Sequence, residues 1–352
     1  MKIFELHDRT EFFLMNRFSF SCKEVADIAL DSVFWGEPNT KENHIDLSIV
    51  LDSNLFNYIR QDPRGVEATK IVNISRDLGL KLDPSFALIE QRIRHGNPKR
   101  AIEEYAAALK SNFGINIGCA NVDAFDAHLD IYSDNLRYNI SLLRDYLPAI
   151  KRLWNQDGSP IDKMSSLVDT AISKNLPIFT VAFLFAAVAF LAKEKTFEIS
   201  EAQRSKIQSD MSISSKNENE NMKLWNVAFD IGIFVYCVDS AIRPNLSQLF
   251  LTKIASADKT FPVFSENIKC TKLTIDYSLP KPIVIGGYGL ASGPNISKKM
   301  SEEMTALIPQ RMGRPTPDEV IIRRCNLAKF ANETAGFNLT STSNQKKRVR
   351  SD

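Results

Sequence analysis

Cysteine is scarce in this sequence and nowhere paired. Cys22, Cys119, Cys237, Cys270 and Cys325 make five, an odd number without CxxC spacing. This argues against a disulfide frame and a cysteine-built zinc site, and fits reduced thiols in a cytoplasmic protein. Histidine is scarcer still: His7, His44, His95 and His128 are scattered and form no ligand motif. Neither sign of charge is in excess. With 44 basic and 42 acidic residues the formal net charge is +2. Bulk charge therefore does not announce a nucleic-acid binder, although a local basic patch still could hold phosphate, because screening limits each charge to about 10 Å. The N-terminal residues lack an uninterrupted apolar run, so no signal peptide is expected.

Long hydrophobic runs are also few. Leu176 to Ala192 is 17 residues long and apolar except for Thr180. That is the lower limit for a membrane span, and a buried core helix is the expected state, with no membrane partner. A hydrophobic content of 44% and a charged content of 24% describe a chain that buries a real core. Its 352 residues suffice for two domains, or for one with large insertions.

The periodicities predict an α/β organisation. His44 to Leu51 reads as a strand, with Ile45, Leu47, Ile49 and Leu51 on one face. Asp52 follows at its C-terminal end, and a helix is expected from about Asn54. Asp83 and Pro84 form an N-cap and first-turn pair for a helix reaching about His95, ended by Gly96. Pro98 opens another helix through Lys110, burying Ala101, Tyr105 and Leu109. Residues 111–221 read as a helical insertion that ends in an exposed, polar loop, Ser212 to Asn221. Leu224 to Ile242 is a second apolar helix. A short buried strand, Leu249 to Thr252, precedes Asp258, and further short strands lie at 272–277 and 282–285. A Gly-rich loop at Gly286 to Gly293 and a helix from Pro317 to about Ala331 follow. Lys346 to Arg350 makes the C-terminal tail basic.

Four stretches stand out for their acids: IVLDSN at 49–54, FALIE at 86–90, NVAFD at 226–230, and LT at 251–252 with ADK at 257–259. In order and local context they resemble the PIN-domain family of metal-dependent nucleases. The resemblance implies a PIN-like core at 44–110 and 222–265, with a mainly parallel central sheet flanked by helices. Residues 1–43 would be an N-terminal extension, 111–221 a large helical insertion, and 266–352 a C-terminal extension. It further implies Asp52, Glu90, Asp230 and Asp258 as ligands of Mg²⁺ or Mn²⁺, with Asn54, Asn226 and Thr252 in support. The activity it implies is hydrolysis of phosphodiester bonds, in RNA rather than DNA.

The chemistry is coherent in its own right. Hard divalent cations prefer oxygen ligands. Such an ion lowers the pKa of a bound water and offsets charge on a reacting phosphate. Carboxylates converging without a cation would raise one another's pKa. Three of the acids also have a plainer role open to them. Asp52 can cap the helix that follows, Glu90 can pair with Arg94 four residues on, and Asp258, six residues beyond Thr252, can cap or face solvent. The other functional class compatible with these residues is a non-catalytic PIN-like scaffold, with a protein partner or a second copy of the chain docked on it.

Overall fold

The strand expected at 44–51 organises the first half of the structure, a computed structural model that describes residues 2–4, 12–16, 44–115, 122–214, 216–239, 242–243, 248–276, 283–293, 295–308 and 315–339. The strands are β1 (Lys2–Phe4), β2 (Phe12–Asn16), β3 (His44–Leu51), β4 (Lys81–Asp83), β5 (Ile242–Arg243), β6 (Gln248–Ser256), β7 (Ile268–Asp276) and β8 (Ile283–Leu290). The helices are α1 (Ser53–Gln61), α2 (Val66–Asp77), α3 (Ser85–His95), α4 (Lys99–Phe113), α5 (Val122–Asn155), α6 (Pro160–Ser173), α7 (Thr180–Ala192), α8 (Glu201–Met211), α9 (Asn217–Asp239), α10 (Phe261–Asn267), α11 (Lys298–Leu307) and α12 (Pro317–Ala335).

The described residues fall into two units. The first lies within Met1–Leu136, Ile233–Asp258 and Cys270–Gly287; the second lies within Arg137–Gly232, Lys259–Lys269 and Tyr288–Asp352. These boundaries cut α5 and α9, and so differ from a split at 110 and 222.

Six strands form the sheet of the first unit, in the order β1-β2-β6-β3-β4 with β5 also on β6. β3 is parallel to both neighbours, β6 and β4. β2 joins β6 antiparallel, β1 joins β2 antiparallel, and β5 joins β6 antiparallel. The sheet is therefore mixed, parallel only across β6-β3-β4, where a mainly parallel one was expected. The difference arises because residues 1–43, expected as an extension outside the core, contribute two strands to the sheet. Ser48, Ile49, Val50 and Leu51 are all buried. Both faces of β3 are covered at its C-terminal half, as parallel strands require.

Local signals account for the helices around this sheet. Asp83 ends β4 and accepts the Ser85 amide at 2.8 Å, so it caps α3 from one residue further out than expected. Gly96 stops α3 with φ of 86°, and Gly114 stops α4 with φ of 66°. Ala101, Tyr105 and Leu109 are buried, and Tyr105 stacks on Phe56 with ring centroids 5.0 Å apart.

In the second unit every residue from Val181 to Ala192 is buried. This helix begins at Thr180, later than the apolar run does, and the Pro177 carbonyl instead accepts the Tyr146 hydroxyl at 2.6 Å. Among the described residues no helix is long and apolar enough to cross a membrane. Gly286 to Leu290, expected in a loop, lies in β8, which pairs with β7. The basic tail lies outside the described residues.

The loop expected at 212–221 holds only in part: Ser212, Ile213 and Lys216 to Asn219 are exposed, but its end is not a loop. Asn217 to Asn221 are the first turn of α9, and Glu220 and Asn221 are buried. Glu220 Oε1 meets Lys151 Nζ at 2.6 Å, and its other oxygen accepts the Ser214 amide at 2.7 Å. Lys151 also donates to the Ser212 carbonyl at 3.2 Å. Composition signals solvation, but a buried lysine elsewhere in the unit selects one glutamate from the polar run. Truncating either partner strands the other's charge. Glu220→Ala should cost about 3–5 kcal/mol in urea denaturation, while Lys151→Met with Glu220→Leu should recover most of that loss.

Candidate functional site

Chain topology marks one edge of the first sheet. From β3 the chain passes through α1 and α2 to β4 on one side, while β6 takes the other side. The C-terminal ends of β3 and β6 therefore flank a topological switch point, where open α/β sheets place ligands. Leu51 and Ala255 are register partners, so Asp52, just past β3, stands beside Ser256, the last residue of β6.

Asp52 sits at the centre of this edge. It is the N-cap of α1, its Oδ1 accepting the Leu55 amide at 2.7 Å. Its Oδ2 accepts the Ser256 hydroxyl at 2.6 Å and the Ala257 amide at 3.0 Å. Its own amide donates to the Ala255 carbonyl at 3.0 Å. The residue is half-buried, but these contacts enclose the carboxylate. Burial pushes its pKa up to about 6; the bonds from Leu55, Ser256 and Ala257 pull the other way, and the nearby Glu90 carboxylate adds to the rise.

Glu90 reaches this edge from α3. The Ser53 hydroxyl donates to its Oε2, and Arg94 Nε lies 2.7 Å from its Oε1. Both plainer roles read from the sequence are thus present, the Asp52 cap and the Glu90–Arg94 pair. They bring the two acids together. Asp258, half-buried, follows the end of β6 by two residues, and its amide donates to Ser256 Oγ at 3.0 Å. The strand runs four residues past Thr252, which removes most of the gap that separated that residue from Asp258. Thr252 itself pairs with Ser48 in the sheet. Asn54 is exposed on the first turn of α1. Asp230 and Asn226 lie in the second unit's part of α9, half-buried and exposed respectively.

Two residues of this edge escaped the sequence reading. Ser53 is adjacent to Asp52 and orients Glu90, and Ser256 holds Asp52 against β6. Continuing the strand period past Thr252 through Ile254 to Ser256 would have exposed the second. Among the described residues, no group of three or more His, Cys, Asp or Glu side chains is arranged to hold a metal. Two carboxylates with spare acceptor capacity are a different case. A carboxylate offers about four lone-pair positions; Asp52 uses three of them for Leu55, Ser256 and Ala257, and Glu90 uses two for Ser53 and Arg94. Magnesium commonly takes one or two carboxylates and keeps waters, and the donor chemistry of this pair is of that kind.

No protein family, curated protein or solved structure matches the chain.

The raised pKa gives this site a pH signature. In the unfolded chain Asp52 ionises near 3.8, in the native one near 6. The native state therefore binds the extra proton between these values, and the stability this contributes is full below pH 3.8 and lost as pH rises through 6. The loss is on the order of 3 kcal/mol. Asp52→Asn keeps a competent cap and cannot ionise. In metal-free buffer it should flatten the part of the stability profile between pH 4 and 7 that Asp52 contributes. Parallel wild-type and variant profiles would remove Asp52 as its source.

Proposed function

We propose that the edge formed by β3, β6 and α3 binds Mg²⁺ or Mn²⁺ and hydrolyses phosphodiester bonds, in RNA rather than DNA. One observation carries this reading: an enclosed carboxylate, Asp52, receives its hydrogen bonds from neutral donors only and stands beside a second acid, Glu90. A cation is the direct remedy for charge concentrated there. Asp52 and Glu90 would hold it, with Asp258 close to the first through Ser256. When bound, such an ion supplies an activated water and offsets charge on the phosphate.

The chain's own residues have separable tasks in this reading. Asp52, with its pKa near 6, is ionised at neutral pH, the state in which its remaining lone pair would meet the cation. Ser53 and Arg94 fix Glu90 from opposite oxygens, which removes the entropy of positioning it. Arg94, four residues after Glu90 on the same face of α3, adds positive charge beside the acids.

The test is incubation of the purified chain with labelled RNA and DNA, each with Mg²⁺, Mn²⁺ or EDTA. RNA should be cut with either metal and left intact in EDTA. Asp52→Asn and Glu90→Gln should each lower the rate by at least about a hundredfold while remaining folded. Asp230→Asn in the same assay decides whether the acid of the second unit belongs to the activity. Cleavage that survives Asp52→Asn, or is absent with every metal, overturns the proposal.

A second reading has its own support. The Glu90–Arg94 pair at 2.7 Å already compensates one of the two acids, as a structural tie in a non-catalytic scaffold would. On that reading both substitutions alter stability alone, and divalent cations leave the melting temperature unchanged.

A further inference from the structure

Helix α12 has two faces of opposite character. At 100° per residue, Leu327 and Ala331 point to one side, and both are buried in the second unit. That side is anchored by Arg324, whose Nη2 lies 3.0 Å from Asp145 Oδ2. Asn326, on the flank between the two faces, donates from Nδ2 to the Lys174 and Asn175 carbonyls at 3.3 Å each. Asp318, Ile322, Cys325 and Lys329 fall within about 40° of the opposite direction. All four are exposed; the Ile322 residue is 53% exposed and the Lys329 side chain 80%. Cys325 is a free thiol. Their spacing of four, three and four residues is that of a helix-pairing seam.

The seam is complementary to itself when inverted. In an antiparallel pair centred between Arg323 and Arg324, Ile322 of one copy faces Cys325 of the other. Asp318 then faces Lys329, and twofold symmetry repeats that ion pair at the far end. A parallel pair would instead set Asp318 against Asp318 and Lys329 against Lys329. Ile321, 61% exposed, flanks the centre and extends its apolar surface. Lys329 is held only loosely in its own chain, 4.0 Å from Glu333 on the same helix.

We infer that α12 is a homodimerisation helix, pairing antiparallel with α12 of a second copy through Asp318, Ile322, Cys325 and Lys329. Residue i contacts residue j and the reverse, as a twofold interface demands. One helix per copy is a small interface, so the dimer is weak and concentration-dependent.

Sedimentation equilibrium across a range from about 1 to 500 μM tests this under reducing conditions. The expected mass rises from one chain to two. Asp318→Lys should raise the dissociation constant on the order of tenfold, since it replaces two ion pairs with two repulsions. Adding Lys329→Asp to that variant should restore dimerisation, because the pairs re-form with signs exchanged. Ile322→Glu should abolish it, while Val66→Glu, at a comparably exposed aliphatic residue on α2, should leave it unchanged. Circular dichroism confirms that each variant is folded. A monomer at every concentration overturns the inference, as does a dimer indifferent to Asp318→Lys and Ile322→Glu. Failure of the double charge exchange to restore association overturns the antiparallel register.

Discussion

The carboxylate of Asp52 is the interaction on which the first unit's edge depends. It accepts the Leu55 amide from within α1 and the Ser256 hydroxyl and Ala257 amide from the end of β6. One side chain therefore starts a helix and joins two strands whose sequence positions are some two hundred residues apart. The rest of the edge follows. Capping sets the first turn of α1, which fixes where Ser53 points, and Ser53 in turn draws Glu90 inward from α3. Asp258 is positioned by the same Ser256 that holds Asp52. The enclosed charge is a standing cost, partly offset by three donors.

Local rules carried the sequence reading furthest where one element explains itself. The β3 strand, the stop at Gly96, the buried stripe of α4 and the apolar α7 each need only periodicity or a glycine at positive φ. The reading failed where distant residues decide. Nothing local in 1–43 shows that Phe12 to Asn16 will pair with β6. The polar run at 212–221 looks solvated because the partner that buries Glu220, Lys151, is 69 residues away. The β6 strand was ended too early for a related reason. Lys253 and Ser256 interrupt its apolar character, yet the ladder to β3 and β2 continues through them.

The candidate site divides in the same way. The sequence offered two uses for Asp52 and two for Glu90, and the structure contains the simpler use of each. Those uses do not compete with the chemical one. A cap bond occupies one lone pair of a carboxylate that has about four. The Arg94 pair likewise leaves Glu90 in the one orientation that faces Asp52's helix. What the sequence could not supply was the pair of serines. Their role is purely geometric, and neither residue type marks a metal or catalytic motif by itself.

Comparing the buried acids of the two units shows why the Asp52 edge invites a ligand. In the second unit Glu220 is met by Lys151, and Asp145 by Arg144 and Arg324. Each of those charges has an opposite charge, so the networks are electrostatically closed and serve to hold helices together. Glu90 is closed in the same manner by Arg94. Asp52 differs: among the described residues its donors are two amides and a hydroxyl, and no cation pairs with it. Burial raises its pKa to about 6, and the dipoles that satisfy its lone pairs offset that rise only in part. A proton at low pH or a cation at neutral pH relieves the same imbalance. The sensitivity of this edge to pH and its proposed affinity for a divalent ion thus have one physical origin, the uncompensated charge at the switch point of the sheet.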